Sequence, residues 1–344
     1  MRGLHERAAR KKRGGCLRQV VAALSVLTAV IPVGVWVLQR SPGEDWWLSA
    51  ALVYAPTMQW LALPVIGLML ALIARSRGLV AVSVAGIVFA LFAVAGYQLN
   101  IPPPIPEGRP TIRLATWNVH GRTTDRELVR DRIMSWDCDI VCLQESASSI
   151  FADLLPGYES SAAGDLRTFV RGRIAHREAP ADASGGPRRI LIVDAETDAG
   201  PITVINVHLP RGEAVRRTPR RPRPLIRYIE AGVQARDPRF DQLVGALPEQ
   251  GPVILAGDMN VTPASRYYAQ VAERLTDSFT EVGRGFGNTF VWRQKLPVLR
   301  IDYVWTGGGV EPLSFETRHH LPSDHRPVIT ELALPGSTAA GGQP

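Results

Sequence analysis

Six short polar patches, each closing an apolar run, recur between Trp117 and His325. They are Trp117-Asn118, Gln144-Glu145, Asn206-Val207-His208, Gly257-Asp258-Met259-Asn260, Arg300-Ile301-Asp302-Tyr303 and Ser323-Asp324-His325. Together they supply oxygen ligands for a hard cation, two imidazoles and several amide donors. Hydrolysis of a phosphate ester needs that inventory: a metal to neutralise charge, a base for water and donors for the non-bridging oxygens. A carboxylate at the end of a buried strand is costly unless paired or metal-bound, so Glu145, after Asp139-Ile-Val-Cys-Leu-Gln144, is the first candidate metal ligand. Asn118 would add an amide oxygen to the metal or its waters. Asp258 and Asn260 sit on one side of a tight turn, able to hold a water and a phosphoryl group together; taken alone, that tetrapeptide reads as a helix-capping turn. Asp302 with Asp324-His325 offers an acid–imidazole pair, in which a carboxylate on one ring nitrogen raises the basicity of the other. His208 would donate to phosphate oxygens. His5, His176, His319 and His320 have no such context and are expected to be structural.

The elements that must position these groups follow from periodicity. Strands are expected at Thr111–Trp117, Ile140–Leu143, Pro201–Val207, Val253–Ala256, Arg300–Trp305 and Val328–Leu334, with helices at Arg126–Trp136 and Asp237–Leu247. Every polar patch then falls at a strand terminus or just beyond it, which predicts an α/β domain of packed sheets with helices outside and a site at one rim. Cys16, Cys138 and Cys142 form no disulfide framework, and the last two flank a strand-like run as core residues. One biased insert, Arg211–Arg227, holds seven arginines and three prolines directly after His208. It is either a solvated loop or a flap that grips an anionic head group or a membrane surface, with Arg216 and Arg217 as its candidate substrate contacts.

The first hundred residues are of another kind. Val20–Leu38, Leu48–Ala74 and Leu79–Leu99 are nearly uncharged stretches of about 20 residues or more, the length that crosses a bilayer as helix. A signal peptide followed by buried helices is the alternative, but no small-residue cleavage site is evident. Arg2, Arg7, Arg10, Lys11, Lys12, Arg13 and Arg18 precede the first stretch, and Arg75 and Arg77 follow the second. The positive-inside rule places both groups in the cytoplasm and everything after Asn100 outside, with Trp46, Trp47 and Tyr97 at outer interfaces. The expected division is a basic tail (1–19), three transmembrane helices (20–100), a stiff Pro-rich linker lifting the domain off the membrane (101–110), the catalytic domain (111–334) and a disordered tail (335–344). The net charge of +7 lies wholly in residues 1–100, with 10 Lys/Arg against 3 Asp/Glu; the remaining 244 residues hold 29 of each. A basic pI would invite a nucleic-acid partner; here the excess is a topology signal.

The six patches, in this order and spacing, resemble the endonuclease/exonuclease/phosphatase superfamily, the DNase I-like group, over residues 111–334. The resemblance implies a four-layer α/β sandwich and Mg²⁺, or Mn²⁺ in its place. It also implies Asn118 and Glu145 as metal ligands, His208 on the phosphate, Asp258 and Asn260 as the water- and phosphate-orienting pair, and Asp302–His325 as an acid–base dyad. Asp324 matches a further metal-side or structuring carboxylate. His120 stands where abasic-site endonucleases carry an acid, which argues against a second metal. Around Asp165–Arg173 the family pattern is poorly matched, and no site residue is assigned there. Three spans followed by such a domain are similar to the membrane phosphoesterases of glycopeptide-resistance (VanJ-like) type.

The resulting expectation is a hydrolase of phosphate esters or anhydrides in a bacterial-type cell membrane, multi-pass, with an extracytoplasmic catalytic domain. Its substrate would be a lipid-linked phosphate such as a polyprenyl pyrophosphate, and no obligate protein partner is evident. An exported tethered nuclease and a sphingomyelinase-like head-group phosphodiesterase remain open beside it. A binding module on an inactive fold is a third alternative, disfavoured by the full set Glu145, Asp258, Asn260, Asp302 and His325.

Overall fold

The computed structural model describes the chain apart from residues 1, 42, 122–124, 183–184, 211–231, 235, 320–321 and 337–344 and the side chains of residues 2–17. The arginine-rich insert, with Arg216 and Arg217, and most of the C-terminal tail therefore lie outside the described residues.

Four helices open the chain: α1 (Arg2–Arg40), α2 (Trp47–Val53), α3 (Ala62–Ile73) and α4 (Arg77–Phe89), the last extended by a π turn to Val94. Two helical stretches, Arg18–Arg40 and Arg77–Val94, are long and apolar enough to cross a membrane. The expected middle span differs. It is broken into Trp47–Val53 and Thr57–Ile73, which meet at 96°. Pro56, at the start of the second piece, lacks an N–H and disfavours helix in the residue before it, so the run cannot continue straight.

The break also has a tertiary cause. Glu44 is only 5% exposed; its carboxylate accepts the Tyr54 hydroxyl, the Ser265 hydroxyl at 2.9 Å and the Arg266 N–H at 2.8 Å. Thr262 Oγ1 donates to the Val53 carbonyl at 2.7 Å, and the Arg236 guanidinium lies over the Tyr54 ring. Gln98–Leu99 pairs with Arg284–Gly285, and Tyr97 packs edge-on against Phe286. Contrary to the expected spacer, the linker does not hold the following domain away from the apolar helices, because the polar groups of the helix-connecting loop are satisfied on the domain itself. Glu44→Ala would strand three donors, a loss of about 1–3 kcal/mol for each one left buried. The expected result is a melting temperature lowered by at least about 2–4 °C in a detergent-solubilised thermal scan of the full chain; an unchanged midpoint would contradict this role.

The domain that follows is built on twelve main strands: β1 (Thr111–Asn118), β2 (Ile140–Gln144), β3 (Glu159–Ala163), β4 (Leu166–Val170), β5 (Arg173–Glu178), β6 (Ile190–Thr197), β7 (Gly200–His208), β8 (Val253–Asp258), β9 (Phe290–Trp292), β10 (Leu296–Leu299), β11 (Asp302–Gly307) and β12 (Val328–Ala333). One sheet runs β12-β1-β2-β4-β3 and the other β11-β8-β7-β6-β5, each with short strands at an edge. The pairs β1–β2 and β7–β8 are parallel. Between the sheets lies an apolar layer that includes Leu114, Ile140, Cys142, Val204, Ile254 and Val304. Ala115, Trp117, Val141 and Leu143 point the other way, against α5 (Arg126–Met134). Ile205, Leu255, Tyr303 and Trp305 do the same on the far side, against α6 (Asp237–Gly245) and α7 (Arg266–Ala272). The strands are thus apolar on both faces, as central strands covered by helices must be, and the result is the four-layer α/β sandwich. Cys138 and Cys142 are core residues as expected, their thiols pushed up to about 12 by burial.

Two amides tie the sheets together near their site ends. Gln144 Nε2 donates to Asn206 Oδ1 at 2.8 Å, and Asn206 Nδ2 donates to the carbonyls of Leu143 and Arg167. A buried polar link of this kind fixes register across an otherwise apolar layer.

Candidate active site

Strand register assembles the centre. Asp258 stands opposite His208 on one side and Asp302 on the other, so three site residues form a row at the end of the second sheet. Asn118 stands opposite Gln144 in the first sheet. Gly257 makes the row fit: at φ 140° a Cβ there would come 2.1 Å from the Val207 carbonyl. Asn260, Glu145 and His120 all hold left-handed backbone, with φ near 55°, a conformation that costs about 1–3 kcal/mol each and persists where surrounding contacts impose it.

Asp258 is the hub and is fully buried. Its Oδ1 accepts the Asn260 N–H at 3.0 Å and its Oδ2 the Asn118 amide at 3.0 Å. Two imidazoles converge on Oδ2, His208 Nε2 at 3.7 Å and His325 Nε2 at 3.9 Å. His325 Nδ1 faces Asp302 at 2.9 Å, and its N–H and C=O are held by Ser323 Oγ and Trp117 Nε1. With Nδ1 on the carboxylate, Nε2 is the nitrogen turned toward Asp258. The acid–imidazole pair read from the sequence is therefore formed by Asp302, while Asp324 is directed elsewhere.

His208 has a carboxylate that the sequence reading missed. Its Nδ1 lies 2.7 Å from Asp165, in the β3–β4 turn, and Arg189 stands 3.9 Å from the same oxygen. Burial by itself would depress this imidazole, but the hydrogen bond to Asp165 and the negative charges of Asp258, Asp165 and Glu145 raise it above its ordinary value of 6.5. The stabilisation is then fully present below about pH 6.5 and lost as pH rises through the higher folded value. The melting-temperature gap between the native chain and His208→Gln should be widest near pH 6 and narrow on the alkaline side; a gap that widens with pH would refute the assignment.

On the first sheet, Glu145 accepts the Gly121 N–H at 2.9 Å and lies 3.4 Å from the Asn118 amide nitrogen, while Asn118 Oδ1 accepts the His120 N–H. Asp324 Oδ1 is buried without a hydrogen bond, though His120 Nδ1 stands 3.2 Å away. Asn118, Glu145 and Asp324 are oxygen donors whose chemistry fits a hard divalent cation. A second group, Asp258, Asp302 and His325, brings its ligand atoms within 4.8 Å of one another. There Nδ1 is already committed to Asp302, so the acid–base reading suits that trio better than a metal cage. Arg300 is not in the site: it forms a buried ion pair with Asp277 at 2.6 Å. Tyr303 donates to the Val261 carbonyl, bracing the loop after Asn260.

A family model described as Endonuclease/Exonuclease/phosphatase family matches residues 115–325. Among curated proteins, the RNA-directed DNA polymerase from mobile element jockey of Drosophila funebris is 25% identical over 249 residues, covering 66% of this chain and 24% of that protein. Exodeoxyribonuclease III of Haemophilus influenzae is 28% identical over 103 residues, 29% of this chain and 34% of its own. The chain thus spans about a quarter of the length of the jockey proteins it matches. Among solved structures, an endonuclease/exonuclease/phosphatase from Bacteroides vulgatus aligns with a TM-score of 0.52 at 19% identity, over 65% of this chain and 99% of that one. Another, from Beutenbergia cavernae, aligns at 0.50 and 18% identity, over 66% and 72%. At such identity the likeness is one of fold.

Proposed function

This chain belongs to the endonuclease/exonuclease/phosphatase family, and from that premise we propose that it is a membrane-anchored, Mg²⁺-dependent hydrolase of phosphate ester or anhydride bonds in a lipid-linked substrate. The observation that carries the hydrolytic part is the convergence of Asp258 Oδ2 and His325 Nε2, 3.9 Å apart, with Asp302 on the far ring nitrogen. A water beside these two atoms is oriented by the carboxylate and loses its proton to the pair as it attacks phosphorus in line. A positioned base of this kind accounts for about 10²–10⁴-fold of rate. His208, with its proton held by the surrounding carboxylates, donates to a non-bridging oxygen. Asn260, whose amide nitrogen is anchored on the Leu209 carbonyl at 2.8 Å, presents the rest of its side chain at the same turn. Asn118, Glu145 and Asp324 would hold the cation, which neutralises charge developing on phosphate oxygens when bound.

The lipid part rests on two features. The catalytic domain sits directly on the loops that join the apolar helices, through Glu44, Val53 and Gln98. Residues 101–344 are neutral overall, whereas a polyanion such as DNA selects a basic surface. Anchoring by the span-length helices, with the bent pair as a third crossing, would put the domain outside a bacterial-type cell, as in the VanJ-like arrangement. Similarity to exodeoxyribonuclease III of Haemophilus influenzae favours a second reading, a tethered nuclease.

Mg²⁺-dependent release of inorganic phosphate from farnesyl diphosphate by the full-length protein decides between them, with plasmid DNA in parallel and His325→Ala as the blank. Phosphate release lost in the variant supports the lipid reading. DNA nicking without phosphate release replaces it with the nuclease.

A further inference from the structure

The β9–β10 hairpin is tied to the catalytic pair at its base and exposed at its tip. At the base, Thr289 Oγ1 accepts the N–H groups of Ile301 and Asp302, both at 3.1 Å, and the Thr289 carbonyl accepts the Arg326 N–H at 2.7 Å. The Val291 N–H donates to the Asp324 carbonyl at 2.8 Å, and the Phe290 ring stands edge-on to that of His325 at 5.5 Å. One strand is thus bonded to Asp302 itself and to both chain neighbours of His325.

The tip has another chemistry. Trp292 and Leu296 are register partners, so their side chains share a face, and they are 48% and 55% exposed. Between them runs Arg293-Gln294-Lys295. Arg293 and Gln294 hold φ of 51° and 55°, the two left-handed positions of a turn that ordinarily takes Asn-Gly. The Arg293 guanidinium lies over the Trp292 ring, 4.5 Å from its centre. From Thr289 to Leu299 the hairpin has two cations and no acid. A single exposed apolar side chain at a turn would mean little; what matters is where this pair stands.

The hairpin lies against the start of the apolar segment Thr57–Ile73. The Asn288 amide donates to the Met58 thioether at 3.5 Å, and Leu296 and Pro297 line one cavity with Pro56, Met58 and Gln59. Further along that segment Val65, Ile66, Met69, Leu72 and Ile73 are between 43% and 75% exposed, an apolar surface of the kind that lipid covers. Trp292 and Leu296 therefore stand at the level where that surface begins. An indole with long cations beside it is the side-chain set that partitions to a water–lipid boundary, the ring at the head groups and the charges in water.

We propose that the tip of this hairpin, Trp292 to Leu296, is a membrane-contact arm seated in the head-group layer of the leaflet that the segment Thr57–Ile73 enters. The inference rests on the membrane-anchored reading and adds a second attachment, on the domain itself. Arg293 and Lys295 draw the arm toward anionic lipid. Phe290, on the His325 ring, is two strand residues from Trp292, about 7 Å, and the head-group layer of one leaflet is about 5–8 Å deep. An indole at the boundary keeps the dyad within about one head-group layer of the bilayer, within reach of the phosphate of a membrane lipid.

The full chain in nanodiscs of equal phosphatidylcholine and phosphatidylglycerol provides the test, with no assay of hydrolysis. In a Cys16→Ser background, with Cys138 and Cys142 buried, one environment-sensitive dye is attached through Gln294→Cys or, as the control, Glu249→Cys. Glu249 is exposed and precedes β8, whose six residues put about 20 Å of strand between it and the Asp258 end. Doxyl-labelled lipid should quench the dye at 294 severalfold more strongly than at 249, and the double variant Trp292→Ser, Leu296→Ser should bring the two to the same value. Equal, water-like quenching at both positions in a chain that stays embedded overturns the arm while leaving the anchor and the hydrolase reading intact. Strong quenching at 294 that survives the double variant overturns the assignment to Trp292 and Leu296. A chain that alkaline carbonate extracts from membranes overturns the anchor, and the arm with it.

Discussion

Asp258→Asn should lower turnover by about 10³-fold while the chain still folds. Each carboxylate oxygen already accepts one donor, Oδ1 the Asn260 N–H and Oδ2 the Asn118 amide, with His208 and His325 beyond it. An asparagine must aim its own NH₂ at one of those two donors. Asn118 cannot answer by turning over, because its Oδ1 already accepts the His120 N–H. The mismatch costs about 1–3 kcal/mol, tolerable for a domain with this core, but the negative charge that orients water and holds the His208 proton is gone. Single-turnover kinetics on a soluble phosphate ester, beside a circular dichroism melt, separates the two effects. A folded variant with near-native turnover would remove Asp258 from the mechanism.

Glu145→Gln is expected to act through the cation. The carboxylate is held by the Gly121 N–H and sits beside the Asn118 amide, so the substitution preserves shape and deletes charge. Activity at saturating substrate should drop by about two orders of magnitude, the scale seen when one electrostatic stabiliser is removed from an active site. Mg²⁺ should raise the melting temperature of the native chain, because a ligand that binds only the folded state stabilises it. In the variant that shift should shrink or vanish at the same concentration. An unchanged Mg²⁺-induced shift would move the metal away from the Asn118–Glu145–Asp324 rim, with the Asp258–Asp302–His325 cluster as the next place to look.

The apolar helices and the domain are in direct contact. Glu44 and Val53 support the segment Thr262–Arg266, which follows Asn260 by two residues. The helix-joining segment and the loop after Asn260 are therefore built against each other, and truncating the helices would remove part of that loop's support.

Much of the site was readable from local pattern. Trp117-Asn118, Gly257-Asp258-Met-Asn260 and Ser323-Asp324-His325 could be placed at strand ends because apolar runs and their polar endings are short-range features. The span-length helices were visible for the same reason. The pairings that give those residues their chemistry were not. Asp165 meets His208 from 43 residues away, and its only local sign is an acid in a hairpin turn. Asp324 is read beside His325 in sequence yet turns to His120. Gln144 and Asn206, which stand in the polar patches, prove to be ties between sheets. Arg300, which opens another patch, is buried in an ion pair. The 96° bend at Pro56 also follows partly from polar caps on a distant helix. Residue type and periodicity act along the chain and settle which groups stand at strand ends; strand register and sheet stacking act across it, and they alone decide which of those groups meet.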